Sequence, residues 1–275
     1  MVDIKAVAAD LRDESLRVEK MVRQLAPEQW PLPTPAQGWT IAHQIGHLHW
    51  TDKVSLLSID RPDEFRAVKE QHDRDPDHFV DDAAETAAGA DPSDLLLRWV
   101  DTRDILADRL TGLDSMSSIE WFGPPMRPAS MMTARLMETW AHGRDIADTL
   151  HIVPQPTGAL RHVAHLGVRT RDFSFTIRGL PTPVADVYVE LTAPDGALWS
   201  WGSPEAPDSV SGPAEDFCLL VTQRRHLDDL DLRVRGTTAK TWMTIAQAFA
   251  GKPTQVRSPA RLGPAPASHS SPPVA

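Results

Sequence analysis

Four long stretches of helical periodicity fill the chain before Pro154, and no other feature limits the possible folds as strongly. The first runs from about Ile4 to Leu25, where Ala8, Leu11, Val18, Val22 and Leu25 recur at a helical period and Asp3 stands in capping position. Pro27, Pro31, Pro33 and Pro35 then force an extended connection. A second helix is predicted from Thr40 to about Ile59, stopped near Pro62. The segment from Asp63 to Ala90 is polar and poorly periodic, which predicts a long loop with one short helix. Asp91-Pro92 supplies an N-cap and a first-turn proline for a third helix through Leu110, and a fourth spans about Pro128 to Leu150. Four amphipathic helices of this length imply an up-down-up-down four-helix bundle over residues 1–153.

Beyond Pro154 the pattern changes. Asp186 to Thr192 alternates apolar and polar residues, Pro194-Asp195-Gly196 is a turn, and Ala197 to Trp201 can return as a hairpin partner. Leu230, Leu232 and Val234 mark a further strand, and helices are predicted at Gly158–Val168, Pro213–Arg225 and Thr238–Ala250. The fold class is therefore an α+β two-domain chain, with a smaller α+β domain over residues 154–251 behind the bundle. Residues 252–275 are rich in Pro, Ser and Ala without apolar periodicity, which predicts a disordered tail.

A bundle core commonly holds a metal between facing helices. In the fourth helix Glu138 and His142 lie four residues apart, hence on one face, where a carboxylate and an imidazole can close on one ion. The neighbouring Ala134, Met137, Ala141 and Ile146 are apolar, so Glu138 is expected to face the interior and to need a partner. The second helix offers His43, His47 and His49 as a third ligand. His43 and His47 are themselves four apart, while His49 faces elsewhere, and spacing leaves the choice open. A His/Glu/His set with an open position has the makeup of a catalytic site and suits zinc. Asp145 can serve a ligand histidine or pair with Arg144, and His162 and His165 are taken as structural or surface residues.

The single cysteine, Cys218, excludes an intrachain disulfide and a cysteine-based zinc site. A net charge of −10 without any basic block argues against nucleic acid and anionic membranes as partners. The charged residues Asp3, Lys5, Asp10 and Arg12 interrupt any signal-like start, and no apolar run is long enough to span a bilayer, so a cytoplasmic location is expected.

Trp39-Thr40-Ile41, followed by His47-Leu48, resembles the second-helix signature of the DinB-like superfamily, closest to the branch of mycothiol-dependent maleylpyruvate isomerase. Glu138-x-x-x-His142-x-x-Asp145 resembles that branch's fourth-helix signature. Gly212-Pro213-Ala214-Glu215-Asp216-Phe217, Leu219-Leu220 and Arg224 resemble its C-terminal domain. The resemblance implies metal ligation by His47, Glu138 and His142, a thiol cofactor such as mycothiol, and a functional arginine at Arg224 or its neighbour Arg225. The expected function is a metal-dependent enzyme that activates a low-molecular-weight thiol for transfer to a small electrophile. Thiol-dependent cis–trans isomerisation, metal-dependent hydrolysis and non-catalytic binding of a small ligand are the alternatives.

Overall fold

A computed structural model describes residues 3–251; the predicted tail at 252–275 lies outside the described residues. The first helix, α1 (Ile4–Val22), starts where Asp3 accepts a hydrogen bond from the Lys5 amide. α2 (Ile41–Asp60) starts at Thr40, and α5 (Pro92–Gly112) starts at Asp91, whose carboxylate accepts from the Ser93 and Asp94 amides. α6 (Pro128–Thr149) completes the set. α1 packs on α6, α2 on α5 and α6, and α5 on α1, which makes these the four helices of the bundle. Inside it lie Val18, Ile41, Ile45, Leu48, Trp99 and Ile146, with Val7, Leu106, Leu110 and Leu136 on the side facing the rest of the chain.

The predicted loop from Asp63 to Ala90 is instead two helices, α3 (Pro62–Arg74) and α4 (Phe79–Ala88). Each buries one residue fully, Phe65 and Ala84, so their apolar stripes are too thin to register as a period. α4 lies close on α2. A Cβ on Gly46 would meet the Ala87 Cβ at 2.8 Å and the Ala84 carbonyl oxygen at 3.2 Å, so the residue beside His47 is small for a steric reason.

The C-terminal region is α+β. α7 (Leu160–Arg169) and a short α8 (Arg171–Thr176) lead into a four-stranded sheet in the order β2-β1-β3-β4. β1 (Val187–Thr192) and β2 (Leu198–Trp201) form the expected hairpin, with Val189 opposite Trp201. β3 (Asp208–Pro213) was not expected: it runs parallel to β1, Val189 beside Val210, and its Ser209, Ser211 and Gly212 hide the strand pattern. β4 (Arg233–Arg235) is shorter than Leu230 to Val234 implied. α9 (Ala214–Val221) ends four residues before Arg225, where Gln223 adopts a left-handed φ of 60°. α10 (Thr237–Ile245) likewise stops short of Ala250. One apolar cluster joins Met132, Leu136 and Ala141 of α6 to Val163, Phe217 and Trp242 of this region. Among the described residues no helix is long and apolar enough to cross a membrane.

Candidate metal centre

α2 and α6 meet where their polar residues converge. His47 Nε2 lies 3.3 Å and His142 Nε2 3.1 Å from the same oxygen, Glu138 Oε2. One ligand atom from each of the three residues falls within a 4.8 Å span. The side chains are mostly buried, at 12%, 10% and 23% exposure for His47, His142 and Glu138, so water does little to screen the group. The indole of Trp39 stacks over His142 at 5.8 Å between ring centres and lies 5.3 Å from the His47 ring.

The hydrogen bonds behind His142 fix its protonation. The Thr34 hydroxyl donates to the Trp39 carbonyl at 2.8 Å, and so accepts from the Gln44 side-chain amide, also at 2.8 Å. That orients the Gln44 Oε1 toward His142 Nδ1, 2.5 Å away, which must then carry the proton. The Nε2 lone pair is left facing Glu138. Burial pushes the His142 pKa down to about 4, so no second proton fills this gap at neutral pH. Burial alone would raise the Glu138 carboxyl, but the two imidazoles crowded against it outweigh burial and hold the group well below the usual carboxylate range. A bare imidazole nitrogen and a carboxylate at 3.1 Å repel unless a cation lies between them. The donor set of two imidazoles and one carboxylate, with the His142 nitrogen turned inward by Gln44, fits a divalent ion of the zinc type.

The other histidines lie apart. His43 Nδ1 accepts from the Thr40 hydroxyl at 2.7 Å, and its Nε2 meets Glu85 of α4 at 2.6 Å. His49 borders a separate polar groove with Lys53 and Asp60. His162 meets Asp10 at 3.1 Å, and His165 accepts from the Trp201 indole. Arg224 stands in the turn after α9 rather than in the helix. Its Nε donates to the Ala141 carbonyl, its Nη1 to the Thr222 carbonyl, and its Nη2 pairs with Asp145 at 3.0 Å. Asp145 thus belongs to Arg224; Arg144 pairs instead with Glu215 at 2.6 Å. Arg225 grips both oxygens of Asp148, at 2.8 and 2.7 Å. Gln44 and Thr34 escaped the reading of the sequence. The available signal was position, since Gln44 precedes His47 by three residues and shares its helical face.

Beside Glu138 opens a cavity of about 400 Å³ between α2, α6, α7, α8 and the segment 248–250, walled mainly by apolar side chains. A polar groove of about 500 Å³ lies on the sheet, lined by Glu190, Ser211 and Asp231 and by none of the converging residues.

A helical bundle with a His/Glu/His cluster whose glutamate borders a cavity, followed by a small α+β region, defines the class. Residues 11–147 match the model of the mycothiol maleylpyruvate isomerase N-terminal domain, and residues 183–235 one described as wyosine base formation. Two uncharacterized proteins from strains of Mycobacterium tuberculosis are each 49% identical over 257 residues, 94% of this chain and 100% of theirs. The crystal structure of a mycothiol-dependent maleylpyruvate isomerase shares the fold with a TM-score of 0.58 at 12% identity, over 92% of this chain and 97% of that one. A point mutant of such an isomerase gives 0.55, also at 12% identity, over 81% and 90%. The chain belongs to the DinB-like family of the mycothiol maleylpyruvate isomerase N-terminal domain.

Proposed function

We propose that the protein is a metal-dependent enzyme that uses a low-molecular-weight thiol, mycothiol or a close analogue, on a small electrophilic substrate. The observation that carries this reading is the convergence of His47, Glu138 and His142 beside the cavity that Glu138 borders, with the His142 lone pair directed at the carboxylate. A divalent ion held there lowers the pKa of a coordinated thiol as it does that of water, supplying a nucleophile at neutral pH.

The thiol must come from outside the chain. Cys218 lies in α9, its Sγ against the Leu160 carbonyl at 3.5 Å, and burial pushes its thiol well above the usual range. In our reading residues 1–153 hold the ion and residues 154–251 close the cavity. Arg224 places a positive charge behind His142, where it also disfavours protonation of that ring. We assign it the role of stabilising, at a distance, negative charge that develops on the substrate, since its guanidinium is held by Ala141, Thr222 and Asp145 outside the cavity wall. Isomerisation by reversible addition and net sulfur transfer share this first step. The likeness to the maleylpyruvate isomerase fold favours the former.

Two measurements in sequence test the proposal: elemental analysis of protein purified without chelators, then turnover of candidate electrophiles with and without mycothiol. One divalent ion per chain and strict dependence on thiol are expected. Turnover without thiol would assign the site to metal-bound water and hydrolysis instead. Thermal stabilisation by small molecules without turnover of any would make it a binding protein.

A further inference from the structure

The cavity beside Glu138 differs in character from the site at its edge. Its walls are Trp121, Met131, Met137, Leu166, Phe173 and Phe249, drawn from both parts of the chain. A small, multiply charged molecule would leave these surfaces facing its own hydration shell. A molecule with an extended apolar body would bury them, at about 25 cal/mol for each Å² removed from water. Two of the six are methionines, whose unbranched side chains adapt to bodies of different outline.

One charged residue in this wall is incompletely used. Arg135 lies one turn of α6 before Glu138 and is 1% exposed. Its Nε donates to Asp52 at 2.8 Å and its Nη2 to the Leu48 carbonyl at 3.4 Å, while Nη1 has no hydrogen-bond partner among the described residues. An unmet buried guanidinium donor is costly, and unlike the unmet Nε of Arg103 this one belongs to a residue of the cavity wall. Arg127, also in the wall, turns its Nη1 to the Met116 carbonyl.

We propose that the cavity takes a monocarboxylate with an extended apolar body, its carboxylate received by the guanidinium of Arg135, whose buried Nη1 turns toward the cavity on binding. Residues three apart on a helix stand roughly 5–6 Å from one another. The carboxylate on Arg135 therefore puts the carbons nearest it beside Glu138, and the body runs away along the aromatic wall. That these carbons include the electrophilic one rests on the reaction proposed above; the binding mode does not.

Calorimetric titration of the full chain with decanoate, decanol and maleate separates the elements of the proposal. Decanoate should bind at least about tenfold more tightly than decanol, the worth of one charge-assisted hydrogen bond, and more tightly than maleate. Ala134→Trp, which fills the cavity while keeping both Arg135 and Glu138, should abolish decanoate binding. Arg135→Gln should bring decanoate to the level of decanol and leave decanol unchanged; if that variant does not fold, the wild-type series decides. Equal affinity for decanoate and decanol, preference for maleate, or binding that survives Ala134→Trp would each overturn the proposal. The titration is repeated after chelation and dialysis. Decanoate binding lost with the ion would place the carboxylate on the metal and remove the role of Arg135. Binding retained in a protein that proves to hold no metal and need no thiol would leave this proposal standing and defeat only the reaction.

Discussion

His43 and His47 stand one turn apart on α2, yet their surroundings could hardly differ more. On the α4 side, His43 has both ring nitrogens engaged, by Thr40 and Glu85, and Asp81 accepts from the Trp39 indole at 2.9 Å. Donors and acceptors match, and nothing further is required there. On the α6 side, His47 and His142 crowd one carboxylate oxygen, and the His47 Nδ1 is buried without a partner among the described residues. Two polar clusters on one helix thus separate by completeness. Where every lone pair has a proton, the cluster is holding helices together. Where lone pairs face each other, a cation would relieve the arrangement, because an unmet buried polar group costs about 1–3 kcal/mol.

Replacing the proposed ligands gives the largest expected effect and is the most direct way to break that comparison. Glu138→Ala, His142→Ala and His47→Ala should each lower affinity for zinc by orders of magnitude, measured by competition with a chromophoric chelator. His43→Ala and His49→Ala should leave it within severalfold. An equal loss from His43→Ala would mean that the two sides of α2 are not distinct. Next in size is Arg224→Ala, expected to keep the ion and lower turnover by roughly 10²–10³, the usual cost of one electrostatic contact in a transition state. Arg224→Lys should recover little. Full activity in Arg224→Ala with loss in Arg225→Ala would transfer the role to Arg225, although the grip of Arg225 on Asp148 marks it as a tie between the two parts of the chain.

The bundle was legible because its helix starts are written locally. Asp3, Asp91 and Pro92 act through contacts within a turn, and the Glu138/His142 spacing carries a geometric meaning in any helix. The hairpin of β1 and β2 was legible for the same reason, through alternation and Pro194-Asp195-Gly196. What escaped depends on partners distant in sequence. β3 is a strand because β1 and β4 flank it, not because Asp208-Ser209-Val210-Ser211-Gly212 favours one. α3 and α4 exist through Phe65 and Ala84 finding the bundle. The pairing of Arg224 with Asp145 and of Arg135 with Asp52 joins residues about eighty positions apart, which periodicity cannot register. Even at the candidate metal site, the tautomer of His142 rests on Thr34 and Gln44, whose roles appear only once the α1–α2 connection folds over α6.

That chain of hydrogen bonds yields a smaller effect which sharpens the comparison. Gln44→Leu leaves every ligand in place and removes the acceptor that holds the His142 proton on Nδ1. Metal affinity should fall roughly 10–100-fold, the typical cost of losing a hydrogen bond behind a ligand histidine. Gln44→Glu should restore affinity, because a carboxylate accepts the same proton. Unchanged affinity in Gln44→Leu would show that Trp39 stacking alone orients the ring.

The smallest expected effect is on stability against pH, in chelated protein where the ion does not compete. His142 is held neutral down to about pH 4 in the folded chain, whereas an unfolded histidine takes up its proton near pH 6.5. Between these values the unfolded state binds more protons, so stability rises with pH. Acidification through that window therefore removes stability, and above it His142 contributes no slope. The Glu138 carboxyl, held low, adds a loss of the same sign only below its ordinary value of 4.5. His142 keeps a small exposed fraction that relaxes part of the burial, so the expected change is roughly 1–2 kcal/mol between the two ends of the window, read from urea unfolding. His142→Gln keeps a hydrogen-bonding group in place and cannot titrate; its profile should be flatter over the same range. An unaltered slope would assign the proton uptake to another histidine, and with it remove the argument that His142 faces Glu138 with a bare nitrogen.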